Sequence, residues 1–170
     1  MIGEDSNDQR ADVYELFSQF FLNPPDEETL AILRQDFLLE SRESLPVISG
    51  EFDELLRYPS GRLQPIESLY TGQMVSAHTD IRSVYAAAGL GLDDTYDVAP
   101  DHLSLEFLFM SYLIEDGKTE MEQKFLEQRL MNWVPYYCEE VMKQAQTLFY
   151  REIAEMVKDF LISESDAYTR

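Results

Sequence analysis

The run Ala99-Pro100-Asp101-His102-Leu103-Ser104-Leu105-Glu106-Phe107-Leu108-Phe109-Met110 opens a helix that is apolar on almost every side. Such a helix belongs in the middle of a bundle, because each of its faces needs a covering neighbour. At about 100° per residue, Ser111 and Glu115 fall within roughly 20° of Ser104 on either side and leave one narrow wet stripe. Glu106 stands about 200° round from that stripe, among Leu103, Phe109, Met110 and Leu113, with His102 one turn earlier on the same side. An ionised carboxylate there must find a partner or keep a proton, since stripping its water without compensation costs several kcal/mol.

Two readings of this start are open. In the first, Asp101 is the N-cap and His102 pairs with Glu106 at i,i+4. In the second, Asp101, His102 and Glu106 line a pocket whose acidic floor receives a cationic ligand.

The composition favours a cationic partner of a particular kind. Thirteen Lys and Arg stand against 33 Asp and Glu, a formal net charge of −20 in 170 residues, which argues against DNA, RNA or an anionic membrane. A basic peptide is the natural opposite. Hydrophobic residues make up 45% of the chain and aromatics 12%, so the acidity belongs to a folded surface and not to a disordered tail. Met1 to Asp8 lacks the basic start and apolar run of an export signal, and no stretch has membrane-spanning length. With Cys138 as the sole cysteine there is no internal disulfide, and its apolar neighbours predict a buried thiol. The expectation is a cytoplasmic protein.

Outward from the central helix, periodicity predicts helices throughout. Val13, Leu16, Phe17, Phe20 and Phe21 mark a first helix ended by Asn23-Pro24-Pro25. Asp26 caps a second carrying Leu30, Leu33 and Phe37, and a third holds Val47, Ile48, Phe52, Leu55 and Leu56. Arg57 to Thr71, with Pro59, Gly61 and Pro65 among apolar residues, predicts an ordered loop. Met74, Ala77, His78, Ile81, Val84, Tyr85 and Ala88 trace a fourth helix ending at Gly89. The central helix is expected from about Pro100 to Asp116, with Gly117 stopping it. Thr119 with Glu122 predicts a capping box for the next helix, whose inner face carries Met121, Phe125 and Leu130. Asn132 and Thr147 predict caps for two final helices, with Ser163 to Arg170 frayed. The fold class is therefore all-α, one globular domain over residues 1–170, with about eight helices around the buried central one.

Familiar catalytic chemistry is absent. Two histidines and one cysteine without ligand spacing make no zinc site, and no Glu-x-x-His pair offers a bundle metal site. Glu115-Asp116 and Glu139-Glu140 are adjacent carboxylates pointing about 100° apart on a helix, which reads as solvated surface. Gly89-Leu90-Gly91 is not a dinucleotide loop, because Asp94 takes the place of the third glycine and no strand precedes it. A small helical enzyme using His102 and Glu106 as an acid–base pair, and a generic acidic adaptor for a basic partner, are the alternatives to a dedicated binding protein.

Several segments are similar to the TorD/DmsD family of molybdoenzyme maturation chaperones, with NarJ as a more distant relative. Pro100-Asp101-His102 followed by Glu106-Phe107 and Phe109-Met110 resembles that family's Pro-Asp-His signature on its central helix. Pro65-Ile66-Glu67-Ser68-Leu69-Tyr70 resembles its loop ending in Glu-Ser-x-Tyr. Looser likeness runs from Phe125-Leu126-Glu127 through Asn132-Trp133-Val134-Pro135 to Phe149-Tyr150-Arg151, and includes Arg10, Tyr14, Leu16 and Phe17. The chain departs from the family where a tryptophan often precedes Glu-Ser and a Gly-Pro-Gly lies earlier, having Ile66 and Tyr58-Pro59-Ser60-Gly61 instead.

The resemblance implies a non-enzymatic chaperone that binds the twin-arginine signal peptide of a molybdopterin-dependent oxidoreductase and delays export until its cofactor is loaded. It implies a peptide site made of Glu67, Ser68, Tyr70, Pro100, Asp101, His102 and Glu106, with Phe109, Met110, Leu63, Ile66 and Tyr70 as apolar surface beside it. It also suggests helix exchange in a dimer, for which the two glycines of the stretch from Gly89 to Ala99 offer a hinge.

Overall fold

The computed structural model describes residues 2–72, 74–92 and 97–170, with side chains over 6–72, 80–92 and 97–170. The helices are α1 (Ile2–Leu22), α2 (Glu27–Asp36), α3 (Leu45–Leu55), α4 (Glu67–Thr71), α5 (Met74–Ala87), α6 (Leu103–Glu115), α7 (Thr119–Phe125), α8 (Met131–Gln144) and α9 (Leu148–Tyr168). A π-helical turn, Leu126–Leu130, joins α7 to α8 without a break, so the described residues form eight helical rods and no strand. The all-α expectation holds. The side chains of Met74, Ala77 and His78, residues 93–96 of the expected hinge, and Met1 with the side chains up to Asp5 lie outside the described residues.

Helix α6 is the axle. Leu103, Phe107, Met110 and Leu113 are fully buried, and α1 packs along it more extensively than any other pair of helices packs. The reason is in the sequence of α1: Tyr14, Phe17 and Phe21 recur at helical spacing and bring their rings to 5.8, 6.1 and 6.2 Å from that of Phe107. The expected wet stripe of α6 shrinks to Glu115, because Ser104 and Ser111 are buried. Ser104 tolerates burial because its hydroxyl lies 2.7 Å from His102 Nδ1. Cys138 is buried as expected, and burial pushes its thiol up to about 12.

The cap assignments divide. Asp26 caps α2, accepting from Thr29 N at 2.7 Å, and Thr147 caps α9, accepting from Tyr150 N at 3.2 Å. Asn132 caps nothing: it lies within α8, its amide reaching back to the Gln128 carbonyl. The π turn stands one turn ahead of Pro135, whose missing N–H and bulky ring disturb the helix at Met131. Thr119 and Glu122 form no capping box either, since Glu122 is drawn into a buried ion cluster. Phe37 and Val47 are exposed, because α2 ends at Asp36 and α3 turns Ile48 inward instead.

Two arrangements hold distant helices in register. At the α8–α9 corner, carboxylates accept backbone N–H groups: Glu43 from Leu148 and Phe149 at 2.7 and 2.9 Å, and Glu51 from Gln146 and Thr147 at 2.8 and 3.0 Å. Gly61 permits the turn after α3, for a Cβ there would stand 2.6 Å from the Leu55 carbonyl oxygen.

At the opposite side, Arg10 of α1 bridges Glu122 of α7 and Glu164 of α9, and Tyr168 donates to Glu122. The last residues are thus helical and anchored, where frayed chain is expected from sequence. Removing one partner of a buried pair typically costs 3–5 kcal/mol, and Arg10 is a quarter exposed, so Arg10→Met should lower unfolding stability by about 2–3 kcal/mol. Urea denaturation checks this; deletion of residues 163–170 should cost a comparable amount, whereas a frayed tail would leave the midpoint unchanged.

Candidate functional site

The start of α6 is tied to the start of α4 by an isolated antiparallel bridge between Ile66 and His102. Leu103 N donates to Pro65 O at 2.8 Å and Glu67 N donates to Asp101 O at 3.1 Å. This pairing decides what the Pro100-Asp101-His102 run does. With its backbone held against residues 65–67, Asp101 cannot cap α6. Its Oδ2 accepts from Ser68 N at 2.8 Å, so it caps α4 across the bridge. The cap of α6 is His102, whose Nδ1 accepts from Ser104 N at 3.2 Å, and α6 begins at Leu103 rather than Pro100. Likewise, the segment expected to be loop through Thr71 becomes helix at Glu67.

His102 therefore does not pair with Glu106. An Nδ1 that accepts from Ser104 leaves the neutral ring its proton on Nε2, and burial pulls the imidazole down to about 4 against the attraction of Asp101. The Tyr58 ring meets it edge-on at 6.2 Å. The expected His102–Glu106 acid–base pair is not assembled.

Glu106 is fully buried and neither of its oxygens makes a hydrogen bond. Burial pushes its carboxyl well above the usual carboxylate range, the charges of Glu67 and Asp101 push it further, and Arg129 opposes them. Trp133 borders it as a potential donor, its indole Nε1 likewise buried and without a hydrogen bond. Glu67, also buried, is raised by its own desolvation against the pull of Arg129, with which it forms an ion pair. Three acids from two helix starts thus converge with one arginine.

Of the other expected residues, Pro100 offers its carbonyl to Tyr85 Oη at 3.0 Å, and Ser68 contributes its backbone N–H to Asp101. Tyr70 is half-buried, stacks on Trp133 at 5.6 Å and donates to the Gln64 carbonyl. Of the residues expected as apolar surface, Phe109, Met110, Leu63 and Ile66 are all buried. Open apolar room lies in a cleft of about 320 Å³, bordered by Phe109 alone of those four and lined also by Val84, Ala87, Met121, Phe125 and Arg129, among others. Arg129, Trp133 and Tyr85 are site residues that sequence reasoning misses. Among the described residues no cluster has the makeup of a metal site, and no helix is long and apolar enough to cross a membrane.

Residues 22–139 match the protein family described as nitrate reductase delta subunit. The fold is similar to the crystal structure of a protein described as a redox enzyme maturation protein from Archaeoglobus fulgidus, with a TM-score of 0.61 and 19% identity over 89% of this chain and 93% of that one. Among curated proteins none shows significant sequence similarity to the chain.

The unbonded Glu106 carboxyl makes stability depend on pH in a definite sense. It ionises near 4.5 when unfolded and at higher pH when folded, so above 4.5 the folded state binds more protons and stability falls as pH rises. Glu106→Gln should flatten that decline, being more stable than wild type at neutral pH and equal to it below the ordinary carboxylate value. Urea midpoints across pH check this. The acid-side loss from His102, which runs from 6.5 down to about 4, should be unchanged by the substitution.

Proposed function

The chain belongs to the nitrate reductase delta subunit family of redox enzyme maturation chaperones, and on that footing we propose that it binds the twin-arginine signal peptide of a molybdopterin-dependent oxidoreductase. The observation that carries this reading is Glu106: a carboxyl with no hydrogen bond, beside Glu67 and Asp101, in a chain of net charge −20. The overall field draws a basic peptide in at long range. A guanidinium then offers five N–H donors in a planar fork that matches the paired oxygens of a carboxylate, where an ammonium is a compact point charge with three. Glu106 gives up its proton when that cation arrives.

In this reading Pro100, Asp101 and His102 are the frame, holding the starts of α4 and α6 together, while Glu67 and Glu106 receive the arginines. Ser68 fixes Asp101, and Tyr70 with Trp133 forms the aromatic wall. The apolar stretch of the peptide lies in the cleft beside Phe109 and Phe125. The protein acts in the cytoplasm as a chaperone without catalytic chemistry of its own, keeping the precursor from export until the cofactor is in place. Helix exchange through residues 89–99 belongs to the same proposal.

Glu106→Gln should weaken binding by about 1.5–3 kcal/mol, or about ten- to 150-fold. The exposed Glu139, paired with Lys158 at 2.9 Å, should on neutralisation leave affinity nearly unchanged and chiefly slow association at low salt. Calorimetric titration with a synthetic peptide bearing adjacent arginines and an apolar stretch, and with its lysine counterpart, checks this. Glu106→Gln and Asp101→Asn variants that bind as tightly as wild type would contradict the reading.

A further inference from the structure

Arg129 stands in the acidic cluster and at the wall of the apolar cleft at the same time. Its guanidinium pairs with Glu67 through Nη2 and is mostly covered, at 16% exposure. Yet the pairing is incomplete. Nε is buried without a hydrogen bond, and neither oxygen of Glu106 is bonded although Arg129 is the cation that acts on it. A planar fork that reaches one of two available carboxylates is a poor fit by the standard of arginine–carboxylate geometry. The residue also sits in the π-helical turn Leu126–Leu130, a widened and rare helical geometry that recurs at functional positions. Arg129 borders about 320 Å³ of open space with Val84, Phe109 and Phe125, which gives the side chain somewhere to go.

We infer that Arg129 is the chain's own stand-in for the ligand's arginine. It pairs with Glu67 beside Glu106 in the unliganded protein and swings into the adjoining cleft when a ligand guanidinium enters. This rests on the peptide-binding reading for its purpose, though not for its geometry. The stand-in keeps buried carboxylates from facing one another without a cation, and it sets a threshold: a ligand must out-compete an incomplete pair, which two adjacent arginines do and scattered lysines do not. Only the fraction of molecules with Arg129 displaced binds, so the apparent affinity is lowered by that fraction.

The test uses full-length wild type, Arg129→Gln and Arg129→Lys in two measurements. In the absence of peptide, Arg129→Gln should gain thermal stability in ethylguanidinium chloride over an equal concentration of ethylammonium chloride, and wild type should show no such difference. In calorimetric titration with the diarginine peptide, Arg129→Gln should bind about tenfold or more tightly than wild type. Arg129→Lys keeps the cation, guards against a folding defect, and should fall between the two. Tighter binding together with selective guanidinium rescue supports the stand-in. Variants that are folded yet bind the peptide no more tightly than wild type, or show no preference for guanidinium, overturn it while leaving the peptide site intact. Selective rescue in a protein that binds no peptide in any form supports the stand-in and overturns the peptide reading instead.

Discussion

A carboxyl sealed from water at the start of α6 is the constraint on which the rest of this structure depends. Burying Glu106 as an anion would cost several kcal/mol without a partner, so its surroundings must either supply a cation or hold its proton. The fold does some of each. Arg129 brings positive charge to the Glu67 side, and burial, reinforced by the neighbouring Glu67 and Asp101 carboxylates, keeps the Glu106 carboxyl raised. The bridge between Ile66 and His102 holds the two helix starts close enough for this tension to exist.

The same chain uses other carboxylates in the opposite manner. Glu43, Glu51 and Glu152 accept backbone N–H groups at the corner of α8 and α9 and around Ser41, and Asp101 accepts one at the start of α4. Those acids stabilise the fold because each accepts backbone N–H groups that helix starts and turns would otherwise leave unpaired. Glu106 lies outside that pattern: both of its oxygens are buried without a hydrogen bond, and a carboxyl in that state marks a place that structure alone does not require.

Much of this was written locally in the sequence, and what was not is non-local. The all-round apolar character of residues 103–114 announces a central helix, and the Tyr14, Phe17 and Phe21 stripe announces the helix that covers it. The burial of Glu106 follows from its position on the wheel. The role of Asp101 does not, because capping rules look a few residues ahead, while its partner, Ser68, lies 33 residues earlier and is brought near by a bridge. Glu122 and Glu164 look like surface acids until Arg10, over a hundred residues away, is placed between them. Arg129 is hidden for a related reason: a π turn has no simple residue signature, and the acid it meets belongs to a helix distant in sequence.

In the proposed function, Glu106 holds a proton in the free protein and releases it to bind an arginine. Calorimetric titration of a diarginine peptide at one pH, in two buffers of different ionisation enthalpy, measures it directly. Net release of protons on binding is expected, absent in Glu106→Gln. Binding with no release of protons in wild type, or with the same release in Glu106→Gln, would contradict it.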